Sequence, residues 1–192
     1  MTFGGAHKLF GVNPDMAVFA KALGNGYPIG AILGTSGAMD GANHSFISST
    51  YWTERIGPAA ALATLEEMQK HDISEHVGRA GEKVRKILSQ ASTTHVVHVR
   101  ESDGFPCFVR WAFQHEKANM LRTLFTQLML QEGFLAGSAF YPTLAHTDEL
   151  IERYAIAVDK VFAKLKWLID QNMLEQTLNG PEAHLGFKRL VS

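Results

Sequence analysis

The stretch DMAVFAKALGNGYPIGAILG, from Asp15 to Gly34, sets one lysine in an apolar run. Apart from Asp15, Lys21 is the only residue in it that is charged at neutral pH. Val18, Phe19, Ala20, Ala22 and Leu23 flank it. Gly24, Asn25, Gly26, Tyr27 and Pro28 then follow as a cluster of turn formers that ends the element carrying the lysine. A lysine is seldom fully buried without a partner or a chemical task. One reading lays its stem along apolar surface with the ammonium in water. The other keeps the amine neutral by desolvation, ready to attack a carbonyl.

Outside this stretch the chain reads as an ordinary soluble globular protein. It has 192 residues, 46% hydrophobic and 19% charged, with formal net charge -1, enough for one sizeable core or two small ones. Lys+Arg 18 and Asp+Glu 19 are mixed along the chain, which argues against a binder of phosphate backbones and so against nucleic acid as a partner. A single cysteine, Cys107, excludes an internal disulfide. With no signal peptide and no apolar run long enough for a bilayer, a reducing cytoplasm is the expected location and no membrane partner is expected.

The texture changes along the chain. Up to about Thr53 it is rich in glycine and small residues, and the short runs IGAILG and SFISST fit buried strands joined by tight turns. From Gly57 the pattern turns helical. Pro58 suits a first helical position, and Asp72 followed by Glu75 reads as a capping box opening a second helix. THVVHVR and FPCFVRWAF read as strands separated by the turn ESDG. Met120, Leu121, Leu124, Phe125, Leu128 and Met129 then keep helical spacing up to Gly133, a residue suited to the left-handed position past a helix end. A strand, FLAGSAFY, precedes an N-cap at Thr147. The long helix after it has Leu150, Ile151, Tyr154, Val158, Val161, Phe162, Leu165 and Leu168 as its apolar face. Helix, two strands, helix, strand, helix suits a compact α+β unit. After Asn179 no period is clear.

Taken together, GGAHKLFGVNPDMAVFAKALGNGYPIGAILG and SSTYWTERIGPAAALATLEEM resemble the class III, pyridoxal-phosphate-dependent aminotransferases, in particular the branch of glutamate-1-semialdehyde aminomutase. LMLQEGFLAGSAFYPTLAHTDELIERY extends the likeness to the family's late strand and final small-domain helix. The resemblance implies an α/β fold, the fold type I of pyridoxal-phosphate enzymes. Residues 1–72 would end the large cofactor-binding domain, 73–178 would form the C-terminal α+β small domain, and 179–192 would be a tail. It also implies a homodimer with the cofactor site shared across the interface, and an amino donor and a carbonyl acceptor as substrates.

By the same resemblance Lys21 is the catalytic, cofactor-binding lysine. The physical chemistry agrees with that role: Val18, Phe19 and Leu23 are expected to form a desolvating pocket, and Gly24, Gly26 and Gly30 to permit tight turns beside a cofactor ring. Once freed, the Lys21 amine would move the proton between substrate and cofactor. Thr50, assisted by Ser49, matches the hydroxyl given to the cofactor phosphate of the neighbouring subunit, near a helix N-terminus whose free donors favour an anion. Where many relatives have a glycine-asparagine-proline turn, this chain has Trp52, Thr53, Glu54 and Arg55. Arg55 stands as either a substrate-carboxylate ligand or a dimer-surface side chain. Phe140 and Tyr141 would border the substrate pocket. They stand where a glutamate is found in the aminomutases, which tilts the reading toward a transaminase, with aminomutase-type intramolecular transfer as the alternative. The family's ring-nitrogen aspartate, phosphate cup and stacking aromatic would all precede Met1. The resemblance therefore implies the C-terminal portion of a longer enzyme, inactive alone, or a non-catalytic, truncated dimerising module.

Competing motifs are weaker. GNGYPIG departs from the dinucleotide spacing and lacks the long helix that should follow it. His95 and His98, three apart on an expected strand, point to opposite faces, and Cys107 has no partner cysteine, so no metal is assigned. His146 reads as a helix-start residue with its hydrogen bonds satisfied.

Overall fold

The computed structural model describes residues 4–186. The chain divides into two compact units, with the division between Glu75 and His76.

The first unit is built on a two-stranded antiparallel ribbon. Strand β1, Met16–Phe19, pairs with β2, Ala31–Gly34, in the register Met16↔Gly34 to Phe19↔Ala31. Each strand is only four residues, and Val18 and Ile32, paired on one face, are 71% and 54% exposed. The expectation of a buried strand at IGAILG is met in position but not in burial. A short helix, α1 (Ser36–Asp40), follows. Its N-cap Thr35 accepts from the Ala38 N–H at 3.4 Å. The expected strand SFISST is not one. Residues 45–49 form no ladder and Phe46 is 97% exposed, because a strand needs a neighbour to pair with. Helix α2, Ile56–Lys70, closes the unit. Pro58 is its third residue rather than its first.

The second unit holds the main core. Helix α3, Ile73–His95, starts where Asp72 Oδ1 accepts from the Glu75 N–H at 2.9 Å. It buries Val77, Ala80, Gly81, Val84, Leu88, Ala91 and Ser92, one face of a 3.6-residue period. The expected strand THVVHVR is mostly displaced. Helical packing of Ala91 and Ser92 carries α3 through His95, and β3 is confined to Val99–Glu101. Ser92 then anchors the new strand, its Oγ accepting from the Val99 N–H at 3.2 Å. Strand β4, Val109–Phe113, and the two-residue β5, Ala139–Phe140, complete an antiparallel sheet in the order β3-β4-β5. Only the ends of FPCFVRWAF and FLAGSAFY thus pair as strands.

Helix α4, Ala118–Gln131, ends in a Schellman arrangement: Gly133 has φ 87, the Phe134 N–H reaches Met129 O and the Gly133 N–H reaches Leu130 O. Helix α5, Asp148–Asp170, opens at Thr147, whose hydroxyl accepts from the Leu150 N–H. Its expected face is buried at Ile151, Val158, Val161, Phe162, Leu165 and Leu168, while Leu150 lies at the edge, 37% exposed. Trp111, Phe113, Phe125 and Phe162 form the centre, with Trp111 edge-on to Phe125 at 4.9 Å. A last short helix, α6 (Leu174–Thr177), leads into residues 178–186, which are irregular but tied down. Gln127 bonds Thr177 O and the Asn179 N–H, Thr123 Oγ1 accepts from the Ala183 N–H, and Arg122 reaches His184 O at 3.1 Å. Among the described residues no helix is long and apolar enough to cross a membrane.

Candidate functional site

Lys21 opens a single 3-10 turn, Lys21–Leu23, directly after β1. The turn exists because Gly24 allows it. A Cβ on Gly24 would meet Tyr27 O at 2.1 Å, so the chain closes on itself only with hydrogen there. Asn25 and Gly26 both have positive φ, and the loop returns as β2. Gly30, by contrast, has no tight neighbour and ordinary backbone. Lys21 itself has φ 52, a left-handed conformation that an L side chain adopts at a cost. Its side chain is exposed and forms no ion pair among the described residues.

The expected desolvating pocket is not formed by its named residues. Val18 points to the exposed face of the ribbon, while Phe19 and Leu23 are only half-buried. The physical reason is the ribbon itself: two four-residue strands have too little apolar surface to enclose a side chain on either face.

Ser49 and Thr50 lie in the irregular stretch before α2, both exposed. Ser49 Oγ accepts from the Tyr51 N–H at 3.3 Å. The start of α2 packs onto the segment that follows the lysine turn, since a Cβ on Gly57 would lie 2.8 Å from Pro28 O. The expectation of free backbone donors at this helix start needs correction. Glu54 Oε1 takes the Ile56 N–H and Glu54 Oε2 takes the Gly57 N–H at 3.1 Å. These two donors hold the Glu54 carboxyl below the usual glutamate range, Ile56 contributing most. Sequence reasoning saw Glu54 only as a departure from the family's turn. A carboxylate two residues before a helix start was the signal that would have marked it as a cap. Arg55 is the N-cap residue of α2, exposed, and no ion pair forms at it among the described residues.

The other singled-out residues lie in the second unit. Phe140 turns toward the core and meets the His146 ring edge-on at 4.8 Å. Tyr141 points away, 62% exposed, and stacks on Phe108. His146 Nδ1 accepts from the Thr143 N–H at 3.0 Å, which fixes the loop before α5 and agrees with its expected structural part. His95 and His98 do not share a strand. His95 ends α3 and its Nε2 lies 2.7 Å from Asp159 Oδ1, while His98 precedes β3 and lines a shallow 140 Å³ pocket with His115 and Lys166.

Comparison with known proteins places the chain. Residues 2–162 match the family described as Aminotransferase class-III, and the chain belongs to that family. It is 32% identical over 159 residues to a 2'-deamino-2'-hydroxyneamine transaminase of Streptomyces kanamyceticus, covering 81% of this chain and 40% of that protein. It is 29% identical over 185 residues to a glutamate-1-semialdehyde 2,1-aminomutase of Pyrobaculum islandicum, covering 84% of this chain and 42% of the relative. Among solved structures, the PLP internal aldimine form of the FumI protein of Sphingopyxis sp. MTA144 superposes with TM-score 0.76 at 23% identity, over 85% of this chain and 40% of that one. The fold is therefore the α/β fold of the pyridoxal-phosphate transaminases, and the chain spans about two fifths of the length of the relatives it matches.

Proposed function

We propose that this chain carries the lysine-bearing part of a pyridoxal-phosphate-dependent aminotransferase, with Lys21 joined to the cofactor and Thr50, assisted by Ser49, giving a hydroxyl to the phosphate of the neighbouring subunit's cofactor. The observation that supports it most is Lys21 itself: a reachable amine without a carboxylate partner among the described residues, held left-handed in the turn between two paired strands. An amine from one subunit and two adjacent hydroxyls from the other are a donor set that suits an aldehyde bearing a phosphate. When bound, the cofactor supplies an electron sink for negative charge at the substrate's α-carbon. This chain's own part is proton movement and positioning. Lys21 Nζ accepts the α-carbon proton and returns it. Ser49 and Thr50 orient the phosphate of the neighbouring subunit's cofactor. Glu54, seated on the α2 donors, keeps the phosphate from those two N–H groups.

Within this reading residues 1–72 belong to the cofactor-binding domain, 73–178 to the small domain and 179–192 to a tail. The enzyme works as a cytoplasmic homodimer with the site shared between subunits, on an amino donor and a carbonyl acceptor. Intramolecular transfer of the aminomutase type is a second reading, favoured by the relatives of that name. A dependence of turnover on a separate acceptor in a complete enzyme distinguishes the two.

The test is an absorbance spectrum of the purified chain with pyridoxal phosphate, then borohydride reduction and peptide mass spectrometry. An adduct concentrated on the Lys21 peptide, and lost in Lys21→Ala, is expected. Labelling spread evenly over the surface lysines would sink the reading.

A further inference from the structure

The sheet of the second unit has two unlike faces. Val99, Val109, Trp111, Phe113 and Phe140 point into the core. Directly paired residues share a face and side chains alternate along each strand, so the register Arg100↔Ala112 and Arg110↔Ala139 puts both arginines on the other face. Continued by one step, the same register sets Phe108 opposite Tyr141. The rings agree, with centroids 4.6 Å apart and planes 27° from parallel. The Arg110 guanidinium carbon sits 5.6 Å from the Phe108 centroid. Tyr141 is 62% exposed and Phe108 37%.

Two further facts mark this face. Lys70, Lys83, Arg85, Lys160 and Lys166 each have a carboxylate partner, whereas Arg100 and Arg110, like Lys21 and Arg55, have none among the described residues. The cross-strand neighbours of the two arginines are Ala112 and Ala139, whose methyl groups leave the guanidinium edges uncovered. An arginine with a free fork beside a stacked aromatic pair offers paired N–H donors next to a flat apolar surface, the combination that takes a carboxylate attached to an apolar or aromatic group.

We propose that Arg110, with the Phe108–Tyr141 pair, binds the carboxylate end of a small acid carrying an apolar side chain. This binding does not rest on the aminotransferase reading. The test is a nitrogen-15 NMR titration of the whole chain with 3-phenylpropionate and, separately, with 3-phenylpropylamine. Amide shifts at residues 108–111 and 139–141 with the acid, and not with the amine at equal concentration, are expected. Arg110→Gln, at an exposed position, is expected to keep the spectrum's dispersion and weaken the acid at least tenfold. Tyr141→Leu is expected to weaken 3-phenylpropionate but leave acetate unchanged. An equal response to the amine, undiminished binding in Arg110→Gln, or shifts elsewhere would overturn the proposal. Acid binding without a Lys21 adduct leaves this site standing and removes the aminotransferase reading. An adduct without acid binding does the reverse.

Discussion

Two residues carry backbone strain that sequence patterning does not reveal. Lys21 and Val96 both have positive φ, 52 and 55. At Lys21 the strain sits in the turn that presents the amine. Val96 has no such role. It is a β-branched residue forced left-handed where α3 stops and Val97 must enter the core, and at 58% exposure it returns little burial. Val96→Gly is expected to stabilise the chain by about 1 kcal/mol, read as a higher urea midpoint with unchanged slope. Glu54 makes a pH prediction. Its ionised form is favoured in the folded chain, so the cap on α2 is present above the ordinary glutamate range and lost as pH falls through the lowered value. The Ile56 and Gly57 amide shifts should titrate with a midpoint below that range, and Glu54→Gln should abolish the transition. At this scale the turn that follows Lys21 was legible in Gly24, Asn25 and Gly26. The exposure and strain of Lys21 were not legible, because both depend on how much chain packs around the ribbon.

Elements were readable wherever one face met the core with regular spacing. Both amphipathic helices of the last third, the Gly133 stop and the Thr147 cap follow from local pattern alone. Strands were overestimated. SFISST and most of THVVHVR have the β-branched and apolar content of strands, but one finds no pairing partner, and the other gives Thr94 and His95 to the end of α3 and Val96, Val97 and His98 to the connection that follows. One close approach was invisible in the sequence: Gly81 lies where α3 meets the loop before β4, and a Cβ there would sit 1.7 Å from Pro106 O. Since the obstacle is backbone, Gly81→Ala is expected to cost about 3 kcal/mol, measured by denaturant unfolding. Ala80→Gly, next to it, would report helix propensity and the lost methyl without the clash.

The molecule as a whole is uneven in what holds it. The second unit has a dense aromatic centre, and Phe162, fully buried against Trp111, Phe113 and Phe125, supports it from α5. Phe162→Ala is expected to cost about 3–5 kcal/mol by thermal or urea unfolding. The first unit instead exposes Val18, Ile32, Leu33, Phe46, Tyr51 and Trp52. That it belongs to the class III family was legible from motif, whereas the sparse enclosure around Lys21 was not. The irregular residues beyond α6 show how little regular structure is needed for order. Because the Asn179 and Ala183 N–H groups are given to side chains of α4, their protons should exchange with deuterium far more slowly than those of residues 46–49, although neither stretch is helix or strand. On a time axis, then, the chain's end would behave as part of the core, and the stretch leading to Thr50 would equilibrate with solvent first.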